Sequence, residues 1–328
     1  MRALLVVNPK ATTTSSRGQD VLARALRSEV DLEVEYTRRR GHAAELARTA
    51  VKDGIDVVVT LGGDGTVNEV VNGLMWDGTS DIGQVSPHAS SPGPSSPHIG
   101  GAQRPALAVV PGGSTNVFAR ALGLPSDWTE GTGVILEAIR EGRARAIGLG
   151  RANHRWFTFC AGLGLDAEVI RRVERARVRG RVSTPGLYLR SGFAQYFATR
   201  DRRTALITLE REGFEPEPGL GTVIVQNTAP WTYLGRRAVN PNPNASFDLG
   251  LDVLATRGQQ LPSTLRTASQ MLSGRTEPHG RRVLRLHDLK GFTLRAQRPL
   301  AFQVDGDYLG EQEQLRFYAE ADVLRVLC

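Results

Sequence analysis

Along the first 145 residues, short apolar runs alternate with stretches of helical spacing. Ala3–Val7, Leu32–Tyr36, Ile55–Leu61 and Ala106–Val110 read as strands, each short and bounded by turn residues. After the third, Val67, Val70, Val71 and Leu74 fall at i, i+3, i+4 and i+7, one face of an amphipathic helix. Strand–helix–strand repetition predicts a parallel sheet with right-handed crossovers and helices on both faces. After about Gly148 the period shortens. Phe292–Gln297 and Gln314–Glu320 alternate apolar with polar, as half-buried antiparallel strands do. The expected fold is α/β over residues 1–147, then a β-rich domain over 148–317 with one helical interlude from Ala167 to about Phe197. The last run, within 318–328, is a candidate strand returning to the first domain.

Between Ser80 and Arg104 the chain is rich in proline, serine and glycine and has no periodicity. A surface insertion without order, over about 81–104, is the expectation.

Three of the strands run into unusual turns: Asn8-Pro9-Lys10, Gly62-Gly63-Asp64-Gly65-Thr66, and Pro111-Gly112-Gly113-Ser114-Thr115-Asn116. Strands of a parallel sheet end on a common edge, where α/β folds bind ligands. Glycines that let backbone amides approach a ligand, helix N-termini, and hydroxyls at Thr66, Ser114 and Thr115 together suit phosphate. No packing role is expected for Asp64, which stands between glycines.

Composition narrows the partners. A chain of 328 residues with 40% hydrophobic content suits two globular domains, and no apolar run approaches the roughly 18 residues of a membrane span. The N-terminal run lacks a cleavage site and reads as a buried strand, so the expected location is cytoplasmic. Two cysteines, Cys160 and Cys328, rule out a disulfide scaffold, and the six histidines show no metal-ligand spacing. The net charge is +7, and all basic residues except Lys10, Lys52 and Lys290 are arginine. Such a surplus favours anionic partners. Six arginines crowd Arg171–Arg181, a pattern fit either for a solvated helix face or for acidic lipid headgroups. No nucleic-acid-binding signature accompanies the charge, so no nucleic acid partner is expected.

Several blocks resemble the diacylglycerol kinase catalytic domain, and above all the soluble bacterial lipid kinases. They are "VVNPKA" (Val6–Ala11), "TLGGDGTVNEVVNGL" (Thr60–Leu74), "VVPGGSTNVFARALGLP" (Val109–Pro125), "FCAGLGLDAEV" (Phe159–Val169), "VIVQNTAP" (Val223–Pro230), "NASFDLGLDV" (Asn244–Val253) and "FQVDGDYLG" (Phe302–Gly310). The resemblance implies a nucleotide-binding α/β domain followed by an antiparallel β-sandwich that takes the lipid, with the active site between them. It implies transfer of the ATP γ-phosphoryl group to the primary hydroxyl of diacylglycerol or a related lipid alcohol. ATP and Mg2+ are the implied cofactors. The enzyme would be peripherally attached to an anionic membrane surface; a homodimer is allowed.

Carried over by position, Asn8 and Thr37 would flank the nucleotide. Gly62, Gly63, Gly65, Thr66, Asn68 and Glu69 would wrap its phosphates, with Ser114, Thr115 and Asn116 on the neighbouring turn. Asp64 would act in catalysis by holding the nucleotide magnesium, and Asp307 would be the general base. The family has glutamate at the third position of the Asp305-Gly306-Asp307 triplet. Two further departures are Val117 and Leu249, which stand where the family commonly has aspartates. Leu249 is expected to pack its loop by apolar contact in place of a structural metal ion. Two alternatives remain at this stage: an NAD kinase-like enzyme sharing the Gly62–Gly65 turn, and a nucleotide- or lipid-binding module without turnover.

Overall fold

The computed structural model describes residues 1–11, 14–78, 104–164, 206–235, 237–258, 261–273 and 277–328. The proline- and serine-rich insertion (apart from Arg104), the expected helical interlude and the arginine run 171–181 lie outside the described residues.

Each apolar run of the first unit forms a strand: β1 (Arg2–Val7), β3 (Val57–Gly62) and β4 (Ala106–Pro111) are buried almost throughout, whereas the edge strand β2 (Asp31–Tyr36) is half-buried to exposed. All pair in parallel, in the order β2-β1-β3-β4. Period-2 alternation divides their side chains between two faces. Leu5, Val7, Val59, Leu61 and Ala108 pack on α1 (Ser16–Arg27) and, beyond the later helices in the chain, on α5 (Trp128–Glu141). Leu4, Val6, Val58, Leu107 and Val109 pack on α2 (His42–Lys52), α3 (Asp64–Leu74) and α4 (Val117–Ala121).

Strand order places the site. β2 lies on one side of β1 and β3 on the other, so the topological switch falls between β1 and β3, where ligands bind in such sheets. There the chain leaving β1 is tied to β3 by Asn8 N–H donating to the Leu61 carbonyl at 2.9 Å. Helices α2 and α3 pack almost backbone to backbone. A Cβ at Gly73 would lie 2.4 Å from the Ala44 carbonyl oxygen.

The second unit is antiparallel. Its strands are β5 (Arg145–Ala152), β6 (Arg155–Phe157), β7 (Cys160–Gly164), β8 (Ile207–Glu210), β9 (Glu217–Leu220), β10 (Thr222–Gln226), β11 (Thr232–Leu234), β12 (Arg237–Val239), β13 (Leu251–Thr256), β14 (Val283–Leu289), β15 (Gly291–Val304) and β16 (Asp307–Leu327). Helix α6 (Leu261–Ser273) follows β13. Apart from β11 and β12, which pair with each other, these strands belong to one sheet. Thr293–Ala296 of β15 pair with β8, whereas Phe302–Val304 of the same strand pair with β7. Between these halves the pairing of β15 with β16 shifts register, at Arg295/Leu300. Val223, Val225, Val253 and Phe302 from one half and Leu209, Leu294, Leu315 and Phe317 from the other share one core.

No break falls at positions 147 or 317. β5 runs through the first, and β16, 21 residues long, runs through the second. β16 pairs with β15, then with β5, and ends parallel to β4 through Val326 and Leu327. The apolar packing expected of Leu249 is absent. Its side chain is 42% exposed, and the loop is held instead by Gly250 N–H donating to Asp288 Oδ1 and by Arg145 gripping both oxygens of Asp248.

Candidate active site

The two glycine turns that follow β3 and β4 cross in contact. Gly112 N–H donates to the Gly62 carbonyl at 2.8 Å, and a Cβ at Gly113 would lie 2.6 Å from Gly63 Cα. The second turn, at Gly112 and Gly113, tolerates no side chain at the crossing. Asn116 takes the left-handed conformation (φ 48°) and closes its own turn. Its Oδ1 accepts from Gly113 N–H and its Nδ2 donates to the Gly113 carbonyl, both at 2.8 Å.

Polar side chains around these turns serve helix ends that are distant in sequence. Both oxygens of Asp64 accept backbone hydrogens from the first turn of α4, from Val117 at 3.0 Å and Phe118 at 3.1 Å. Asp64 therefore has a packing role, contrary to expectation: it caps α4 and staples the two glycine turns. Burial pushes its carboxyl up to about 6, against the pull of those two amides, with repulsion from Asp305 and Asp307 adding to the rise. Glu69 likewise caps α2, accepting from Gly41 and Ala43 at 2.8 and 3.2 Å. Ser15 and Asp127 cap α1 and α5. Among the described residues, α3 alone of the five helices in the first unit has neither its own nor a borrowed side chain on its first amides. A helix N-terminus left this way is an anion site in waiting.

The triplet in the β15–β16 turn divides its labour. Asp305 is buried in the left-handed conformation, φ 47°. It accepts five hydrogen bonds: from the amides of Thr158, Phe159 and Cys160, from the Thr158 hydroxyl, and from Asn68 Nδ2 at 2.7 Å. Burial pushes its carboxyl up, although all five donors favour the ionised form. Asp305 is thus an anchor between the two units. Asp307 is the member that stays partly exposed. Its carboxylate lies against Gly65 at the start of α3, with Arg40 Nη2 3.8 Å from Oδ2.

The remaining sequence-predicted residues fall around this centre. Asn8 donates through Nδ2 to Thr66 Oγ1 at 3.1 Å, which joins the first turn to the second. Thr37 follows β2, its amide on the Val7 carbonyl. Ser114 is exposed and Thr115 half-buried on the third turn. Asn68 is buried and works through Asp305 and the Trp156 carbonyl. Asn68 and Glu69 therefore organise the protein, whereas Gly63, Gly65, Gly113 and Asp307 stay partly exposed.

Sequence reasoning missed Asn72, Arg40 and Arg155. Asn72 exchanges hydrogen bonds with the backbone of Trp156, at 3.0 Å each way, and so mimics a strand partner. The signal was present: asparagines at i and i+4 on an otherwise apolar helix. Arg155 Nη2 donates to Asn68 Oδ1. Nothing in the local sequence marks it out.

The donor set fits magnesium carried on nucleotide phosphates. Each Asp64 oxygen keeps a lone pair beyond its amide bond. Among the described residues no three His, Cys, Asp or Glu side chains cluster as a metal cage. Magnesium bound through one carboxylate, phosphates and water needs no such cage.

Residues 2–152 match the diacylglycerol kinase catalytic domain. The chain is 32% identical over 150 residues to the diacylglycerol kinase of Staphylococcus haemolyticus, covering 46% of this chain and 37% of that one. It is 30% identical over 170 residues to the enzyme of Staphylococcus aureus strain bovine RF122, covering 51% and 45%. The match thus spans less than half the length of these relatives. A crystal structure of a diacylglycerol kinase from Bacillus anthracis Sterne shares the fold, with TM-score 0.66, 18% identity, and coverage of 99% of this chain and 96% of that one. An NAD kinase from Archaeoglobus fulgidus in complex with ATP has TM-score 0.51 and 10% identity, covering 100% and 94%.

Proposed function

We infer, for a chain whose residues 2–152 carry the diacylglycerol kinase catalytic domain, that the protein transfers the γ-phosphoryl group of ATP to the hydroxyl of diacylglycerol or a related lipid alcohol. The observation that supports this best is the pairing of an uncapped helix start, at Gly63–Gly65, with the partly exposed carboxylate of Asp307 packed against it. The first binds phosphate and the second accepts a proton. Phosphoryl transfer asks for little else beyond positioning and charge neutralisation.

In this reading the free amides of α3 and the crossed glycine turns hold the phosphates, with Ser114 and Thr115 at the rim. Asp64 would hold the magnesium that nucleotide phosphates carry, and that ion would offset their negative charge. Asp307 takes the proton as the acceptor oxygen forms its bond to phosphorus and the bridging oxygen departs with ADP. Asp305 and Asn68 fix the turn that presents Asp307. A lipid acceptor requires contact with a bilayer surface, and the positive charge of the chain suits peripheral attachment to anionic lipid. Among the described residues no helix is long and apolar enough to cross a membrane.

The test is incubation with γ-labelled ATP, magnesium and a panel of acceptors: diacylglycerol, sphingosine and ceramide in mixed vesicles, and NAD. Label in phosphatidic acid is the expected result. Label in NADP, or in no product, overturns the reading.

A further inference from the structure

Among the described residues Arg155 is a cation without a counter-ion, although three carboxylates surround it. It lies on β6 beside the first turns of α3, and Nη2 donates to Asn68 Oδ1. Its Nε is buried and has no partner. A guanidinium offers five N–H donors, so most of this one's capacity is unused. Among the described residues Arg155 forms no ion pair, although Asp307, Asp305 and Glu69 lie close enough for their charges to act on it.

Each of those carboxylates is already committed. Asp305 has five donors of its own. Glu69 caps α2, and Asp307 has Arg40 beside it. The uncapped start of α3 is one helical turn from Asn68, the residue that Arg155 grips. Two electropositive features therefore meet at one end of α3, and among the described residues neither is fully satisfied.

We propose that Arg155 is a phosphate ligand: with the free amides at the start of α3 it binds the terminal phosphoryl group of a polyphosphate, and it stays on that group as it moves to the acceptor. The planar fork of a guanidinium matches two phosphoryl oxygens at once, which a lysine ammonium does not. Terminal phosphate is the occupant because Asp307, the proton acceptor, lies against the same first turn of α3. The transfer part of the proposal rests on the kinase reading. The anion site does not.

Calorimetry with inorganic tripolyphosphate and with ADP on Arg155→Gln, alongside turnover with γ-labelled ATP, tests both. We expect tripolyphosphate affinity to fall about tenfold or more and turnover to fall about a hundredfold, as for loss of one charge-assisted ligand to a developing charge. ADP affinity should stay within about twofold, because ADP lacks the terminal group. Equal tripolyphosphate affinity in wild type and variant, or an equal loss of ADP binding, overturns the proposal. Should Arg155→Gln melt early, Arg155→Lys takes its place, with the cation kept and the fork removed; undiminished affinity there also counts against it. If no lipid is phosphorylated yet tripolyphosphate binding still depends on Arg155, the kinase reading fails and the anion site stands. If lipid is phosphorylated equally by both proteins, the kinase reading stands and Arg155 is not a ligand.

Discussion

The carboxylate of Asp307 packs on Gly65 so closely that a methyl group added at Gly65 would stand 3.2 Å from Oδ2 and 3.7 Å from Oδ1. Two residues separated by most of the chain thus share one van der Waals surface, and the absence of a side chain at the first is what admits the second. Gly65→Ala should leave the fold at least as stable, since alanine in a helix is favoured over glycine by about 1 kcal/mol. Turnover should fall about tenfold, because the displaced carboxylate loses its alignment. Thermal melts and rates on the same preparation check this. Full turnover in Gly65→Ala would separate Asp307 from the reaction. Gly73→Ala is the contrast: its Cβ would meet backbone at 2.4 Å, and a loss of about 1–3 kcal/mol or more is expected.

The two aspartates of the triplet should separate stability from chemistry. Asp305→Asn turns an NH2 group toward hydrogen-bond donors in a buried site, and about 3–5 kcal/mol should be lost. Asp307→Asn should melt as wild type does, bind ATP normally and turn over far more slowly, since the group acts only as the hydroxyl loses its proton. Loss of ATP affinity in parallel with rate would mark Asp307 as a scaffold residue.

A pH dependence follows from Asp64. Its folded value, about 6, exceeds the unfolded value, so the ionised form is the less favoured one in the folded protein. The folded state therefore binds more protons between about pH 4 and 6, and stability contributed by this group falls as pH rises through that window, then stays level. Two units correspond to roughly 3 kcal/mol at most. Asp64→Asn should flatten the difference between urea midpoints at pH 4.5 and 7. Under the kinase reading the same change abolishes phosphoryl transfer, and wild-type activity declines below about pH 6 as the carboxylate protonates. An unchanged pH profile of stability in Asp64→Asn would assign the titration elsewhere.

Attachment to membranes can be read from charge reversal at Arg175, Arg177 and Arg179. Arginine near an anionic surface contributes about 1 kcal/mol each, so three reversals should weaken sedimentation with anionic vesicles by orders of magnitude, and added salt should do the same. Equal binding to anionic and neutral vesicles would reduce the run to a solvated face.

What the sequence disclosed was local. Periodicity announced β1 to β4 and α3, because an apolar face recurs at the period of the element that carries it. The three turns were visible as glycine clusters at strand ends. Contacts between distant segments were not visible. That Asp64 and Glu69 cap helices they do not belong to depends on how α2, α3 and α4 are stacked, and no spacing records it. Asp305 looked like part of a hairpin turn, yet three of its five donors are backbone amides whose residue types carry no signal. The alternation in Phe292–Gln297 and Gln314–Glu320 marked pieces of β15 and β16 but not their lengths, since register shifts interrupt the pattern where the strands bend.

The long strand β16 has a consequence for synthesis. Val326 and Leu327 supply the neighbour of Leu107 and Ala108, so one border of the parallel sheet stays open until almost the whole described chain has been made. Sequence-distant pairing of this kind slows folding and leaves a sticky border exposed meanwhile. The glycine turns, Asp64 and the helix starts are all translated early, but the sheet on which they stand closes late. A ribosome-stalled fragment ending near residue 152 should therefore carry the nucleotide motifs and still recruit chaperones, and release of the last strand should end that association.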